Sequence, residues 1–282
     1  MRKMLHCLGA LTVPILLGST AQAAAVVYNN LTPNNQMAMA TRPSAGGKTE
    51  IEAADDFSLS LQTLVQSGSF VGLLTGAQPV IGDVTVEIYR VFPLDSTTPP
   101  STNVPTRNNS PSDTAFDSRM VSAGQLTFTI SVLSANFTAN NSVLNGINKS
   151  PGQTTGGDGA VRGTEVQIDF ALTTPFNLPA DHYFFVPQVQ VTGGEFYWLS
   201  ASRPISGAGT TPISPDLQAW IRNEGLAPDW LRVGTDIVGG ATPPQFNAAF
   251  ALEGTEVPEP ASMLLALTGL AAVALLRRNP KH

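Results

Sequence analysis

The sequence predicts an all-β protein: an antiparallel two-sheet β-sandwich, jelly-roll-like, with an N-terminal signal helix before it and a C-terminal transmembrane helix after it. Three observations carry this expectation. Through the middle of the chain, apolar residues recur at every second position, the period of a strand with one buried face. The 282 residues include 25 Gly and 22 Pro, more than the ordinary share, which favours many short elements joined by turns over a helical bundle. The two continuous apolar runs, Leu5–Leu17 and Met263–Leu276, lie at the ends, outside the alternating region.

The first end reads Arg2 and Lys3, an apolar run from Leu5 to Leu17, then Ala21-Gln22-Ala23. A charged start, an apolar centre and small residues at the two positions a signal peptidase reads predict cleavage between Ala23 and Ala24. Gly9, Pro14 and Gly18 weigh against the alternative of a buried helix. The single cysteine, Cys7, falls inside this segment. The exported domain, expected over residues 24–256, then has no disulfide, thiol nucleophile or thiolate metal site.

Within that domain the clearest strand is Val84, Val86 and Ile88 alternating with Thr85, Glu87 and Tyr89. Leu126, Phe128, Ile130 and Val132 alternate with Thr127, Thr129 and Ser131, and Val166, Ile168, Phe170 and Leu172 with Glu165, Gln167 and Asp169. Each pattern predicts one core face and one wet face. Further strands are expected at 51–59, 70–74, 183–191, 195–199 and 246–252. Pro187 would sit at an edge or bulge because it cannot donate to a ladder. Gly193-Gly194 reads as a tight hairpin, and 217–222 as a short helical turn ended by Gly225. The Thr-, Ser-, Pro- and Asn-rich stretch 95–118 has no apolar period and is expected to be a mobile or functional loop.

The inventory of reactive groups is small. His182 is the one histidine of the exported domain, and no G-x-S-x-G, Walker or H-E-x-x-H motif occurs, so a non-enzymatic role is expected. Asp55 and Asp56, adjacent at a strand start, are candidates for calcium ligation; the alternative is a solvated edge or a turn in which they cap backbone N–H groups. Otherwise no metal or cofactor is expected. Tyr197, Trp198, Trp220 and Trp230 form the densest aromatic group and are the candidates for a carbohydrate contact, with core packing as the rival. Without Arg2, Lys3, Arg277, Arg278 and Lys281, the exported part keeps 10 basic against 21 acidic residues, a charge of about −11. That leaves no basic footprint for nucleic acid and disfavours direct contact with an acidic polysaccharide.

The C-terminal region has three parts without a gap: the motif region 257–262, containing Pro258-Glu259-Pro260, an apolar stretch over 261–276, and a basic end over 277–282 that includes Arg277 and Arg278. Sixteen residues of helix span about 24 Å, slightly short of a ~30 Å hydrocarbon core, but they can insert if flanking side chains snorkel. The basic residues would stay on the cytoplasmic side and leave the domain outside. This succession, paired with a signal peptide, resembles the PEP-CTERM family of exosortase-processed proteins. The resemblance covers residues 257–282 and implies sorting in a Gram-negative bacterium that makes exopolysaccharide. A membrane-embedded cysteine protease-transpeptidase, exosortase, would recognise Pro258, Glu259 and Pro260 and remove the tail, with Arg277 and Arg278 as the basic stop. Expected partners are therefore signal peptidase, exosortase, the inner membrane in transit and, more loosely, exopolysaccharide. Ala53-Ala54-Asp55-Asp56-Phe57 resembles the opening of extracellular sandwich domains that precede such tails.

Overall fold

The computed structural model describes residues 23–147, 153–207 and 215–257. Fifteen strands follow in chain order: β1 (Ala25–Asn29), β2 (Pro33–Ala40), β3 (Ile51–Leu59), β4 (Thr63–Leu74), β5 (Val80–Arg90), β6 (Asp117–Met120), β7 (Leu126–Ala139), β8 (Asn141–Val143), β9 (Val161–Leu178), β10 (Asp181–Thr192), β11 (Phe196–Ala201), β12 (Trp220–Asn223), β13 (Leu231–Arg232), β14 (Asn247–Ala248) and β15 (Phe250–Glu256). One π-helical turn, Val233–Val238, interrupts them. The expected signal and transmembrane helices lie outside the described residues.

Nine strands form one sheet and six the other. In the larger sheet β7 pairs with β9 and β9 with β4; the far edge of β4 is shared by β15, which leads to β1, and β11, which leads to β2 and β8. The smaller sheet runs β13-β12-β3-β10-β5-β6. All pairings are antiparallel except β2 with β8.

Aromatic rings from both sheets meet in the core. Phe185 of β10 stacks on Phe250 of β15 at 5.1 Å and meets Trp198 of β11 edge-on at 5.9 Å. Phe70 of β4 meets Phe185 at 6.3 Å. The alternation of the sequence places these residues correctly, since Tyr183, Phe185 and Val189 share the inward face of β10.

The outer face of the six-stranded sheet is not wet, contrary to the expectation from period two. Ala54, Tyr89, Phe184, Val186, Leu217, Trp220 and Trp230 form a second, smaller core there. The stretch expected to be mobile lies over it, pinned by a buried arginine. Arg107 donates to Ser110 Oγ (2.8 Å), Asp229 Oδ1, Pro111 C=O and Asp113 Oδ1 (each 3.0 Å), and lies over the Phe92 ring at 4.7 Å. A guanidinium whose donors are matched in this way holds a loop that has no hydrophobic period of its own.

Three local expectations are corrected. Gly193-Gly194 is a crossover between the two sheets and not a hairpin, because β10 and β11 belong to different sheets. The passage is tight: Gly193 has φ +76°, and a Cβ on Gly194 would lie 1.8 Å from Thr75 C=O. The helical turn expected at 217–222 is irregular chain leading into strand β12 at Trp220, because pairing with β3 (Trp220 opposite Ala54, Arg222 opposite Glu52) overrides local propensity. Pro187 sits within an internal strand, but β3 pairs with β10 only from Asp181 to Phe185, so the edge is local, as its missing N–H requires.

Candidate functional site: the exit corner and the buried carboxylates

Both ends of the domain meet at one corner of the larger sheet. β1 and β15 run antiparallel, with Ala25 opposite Gly254 and Val26 opposite Glu253. Ala23 and Ala24 are exposed and precede β1, so a peptidase acting between them need not strip ladder bonds from the sheet. Ala21 lies outside the described residues. At the other end Glu256 pairs with Thr63, and Val257 N–H donates to Gln62 C=O at 2.7 Å. Pro258 has no N–H with which to continue that ladder. Folded structure therefore reaches to within one residue of the Pro-Glu-Pro run. Pro258, Glu259, Pro260, Arg277, Arg278 and the expected span 261–276 lie outside the described residues; among those described, no helix is long and apolar enough to cross a membrane.

Asp55 and Asp56 are in the interior of β3, not at a solvated edge or turn, and both are buried. As consecutive strand residues they point to opposite faces. Asp55 faces the main core, where Oδ2 accepts Ala248 N–H at 2.7 Å. Asp56 faces the second core, where Oδ2 meets His182 Nε2 at 2.6 Å and accepts Leu217 N–H at 3.1 Å. The two carboxylates thus do not converge on one ion, and among the described residues no group of three or more His, Cys, Asp or Glu could hold a metal. Burial, and secondarily the charge of Asp56, pushes the Asp55 carboxyl well above its ordinary range; burial raises Asp56 against the opposing pull of His182. Asp55 Oδ1, Asp56 Oδ1 and Tyr28 Oη are buried with no hydrogen-bond partner among the described residues.

The four aromatic candidates for a carbohydrate platform are corrected to core residues. Trp198, Trp220, Trp230 and Tyr197 are 0%, 1%, 0% and 6% exposed, so none offers a ring face to a polymer. Trp198 Nε1 donates to Ala249 C=O at 2.9 Å and Trp230 Nε1 to Ser112 C=O at 3.1 Å, which fixes both indoles. Trp220 lines a cavity of about 450 Å³ with Asn108, Asn109, Arg203, Gln218 and Gln245. The cavity is polar, but its cations are already engaged: Arg203 by Asp216 and Asn247, Arg232 by Asp236.

One buried ionic cluster gave no signal in the sequence. Arg222 of β12 pairs with Glu52 of β3, donates to Tyr89 Oη at 3.0 Å and stacks over Trp230 at 4.2 Å. Tyr89 Oη in turn donates to Glu52 Oε1 at 2.7 Å. Glu52 and Arg222 are 170 positions apart, and Glu52 and Glu87 fall where period two places a wet face. Burial first, then Glu52 and Glu50, push the Glu87 carboxyl up to about 8.

The fold and its exit corner define a class: a β-rich domain whose last ladder bond hands the chain directly to a distinct C-terminal segment. That segment is matched by the family model described as the PEP-CTERM protein-sorting motif, over residues 256–278. The chain therefore carries a PEP-CTERM sorting motif at its C terminus, which implies an exported, cell-surface-sorted protein processed by exosortase. No curated protein and no solved structure matches the chain.

Proposed function

We propose that the protein is a non-enzymatic component of the cell envelope or extracellular matrix of a Gram-negative bacterium, linked to exopolysaccharide or biofilm production. In this reading an acidic, jelly-roll-like sandwich is exported by its signal peptide, held in the inner membrane by 261–276, and released or transferred when exosortase cuts at the Pro258–Pro260 tail. The observation that carries the reading is the sorting motif beginning where the ladder of β15 ends. The engagement of His182 with a buried Asp56 also supports it, since that pair serves the interior of the sheet.

Deletion of Pro258–Pro260 is expected to leave the protein in the membrane fraction, whereas the unaltered chain leaves it. Equal release of both forms would overturn the sorting role. A second reading, carbohydrate binding, is favoured by the cavity beside Trp220, whose amides Asn108, Asn109 and Gln245 suit sugar hydroxyls. It predicts that an Asn109→Ala, Gln245→Ala double variant, still folded, loses retention on the native polysaccharide; retention unchanged in that variant would exclude this cavity.

A further inference from the structure

β7 is an edge strand of the nine-stranded sheet, and from Leu126 to its first register slip at Val132 it lacks the charges, prolines and bulges that usually guard an edge. Its fourteen residues contain no Asp, Glu, Lys, Arg or Pro, whereas natural edges carry charges or prolines to stop edge-to-edge pairing. Among the described residues, β9 is its only strand partner. Phe128, Ile130 and Val132 lie opposite Phe170, Ile168 and Val166, so they continue the inward apolar face. Nothing among the described residues covers them fully: Ile130 and Val132 are 44% and 66% exposed, and Leu133, where the register first slips, is 49% exposed.

We infer that β7 is a self-association edge, and that its occupant is β7 of a second copy of this chain, paired antiparallel about a two-fold axis at Thr129. The regular part of the strand, Leu126–Val132, alternates apolar and hydroxyl residues symmetrically about that position. Antiparallel pairing centred there sets Leu126 against Val132 of the second copy and Phe128 against Ile130, all on the inward face. On the outer face it sets Thr127 against Ser131 and Thr129 against Thr129, pairs that suit cross-strand hydrogen bonds. Each contact off the axis is made twice and Thr129 against Thr129 once, as a closed two-fold interface requires.

The charge pattern permits the second copy that the two-fold symmetry of the strand favours. The exported domain is acidic overall, yet the strand that would meet its twin is neutral. The nearest acidic residues are on β9, where Asp169 is opposite Thr129 and Glu165 opposite Ser134. In the paired sheet β9 and its twin would be three strand spacings apart, about 14 Å, which exceeds the ~8 Å screening length at physiological salt. Like-charge repulsion is therefore small at this edge.

The test is sedimentation velocity on the exported protein recovered from its own cells, from low micromolar to hundred-micromolar concentration. The unaltered protein should form a dimer. Thr129→Lys and Thr129→Glu, each at an exposed position, should separately weaken it about tenfold or more by placing like charges face to face, and their mixture should restore it. In the domain beginning at Ala24, which has no other cysteine, Thr129→Cys should give an oxidised dimer while Thr127→Cys, offset from its own twin, should not. A monomer at every concentration would overturn the inference. So would a dimer that both charge variants leave unchanged, which would place the contact on another surface or on the tail beyond Val257.

Discussion

β5 and β7 read alike in sequence and end in opposite environments. Both alternate apolar with polar residues, Val84-Thr-Val-Glu-Ile-Tyr89 in one and Leu126-Thr-Phe-Thr-Ile-Ser-Val132 in the other. In β5 the inward Val84, Val86 and Ile88 are fully buried, and the outward Tyr89 is also buried against Trp230 at 5.5 Å. In β7 the inward face is largely open beyond Leu126. Period two fixes which residues share a face, but it does not fix what covers that face. For β5 the cover is supplied by Arg222 and Trp230, remote in sequence, which meet Tyr89, and by the loop that Arg107 pins beyond them; for β7 none that closes the face is supplied among the described residues.

The largest expected effect tests the cover of β5. Arg107→Ala leaves the buried Asp229 without its cation and the half-buried Asp113 with its bonds from Thr97 and Thr98 N–H, and should cost about 3–5 kcal/mol in urea unfolding. Proteolysis within 95–116 should accelerate at the same time. Stability unchanged by the substitution would show that the loop is held by something other than this guanidinium. Next, the same substitution on the two strands should separate them: Ile88→Ala should cost about 2–5 kcal/mol through the cavity it leaves.

A smaller effect depends on pH. The folded-state value for Glu87, about 8, lies above its ordinary 4.5, so between those values the native state holds a proton that the unfolded chain releases. Stability contributed by this group is intact below about pH 4.5, falls as pH rises, and levels off above about 8. Glu87→Gln should match the unaltered protein in acid and exceed it above pH 8 by several degrees in Tm. Parallel pH profiles for the two would contradict the buried-acid account. The smallest effect is on β7, where Ile130→Ala should change monomer stability by no more than about 0.5 kcal/mol. A loss approaching that of Ile88→Ala would mean the strand is covered after all.

Much of the fold was legible from periodicity. The strand expected at 51–59 is β3, and those around 84–89, 126–132, 166–172 and 183–191 lie within β5, β7, β9 and β10. Strand partners were not legible, which is why Gly193-Gly194 read as a hairpin although it crosses between sheets, and why 217–222 read as helix until pairing with β3 made β12 from Trp220 onward. Local sequence reports φ preferences and apolar faces, while register is decided by residues more than a hundred positions away. The aromatic candidates failed for a related reason: Tyr197, Trp198, Trp220 and Trp230 are equally suited to a sugar and to a core, and only the second sheet and its outer layer decide between them. The sorting tail was legible because its signal is local, a motif, an apolar run and basic residues in direct succession.

The most direct test of the account is the intact mass of the protein recovered from membrane, medium and matrix of its own cells, for the unaltered chain and for one lacking Pro258–Pro260. The account predicts a species that begins at Ala24 and ends near Pro260, lost when the motif is deleted. A species that keeps Arg277 and Arg278 in both cases would contradict processing at the tail and leave a domain anchored by its C terminus.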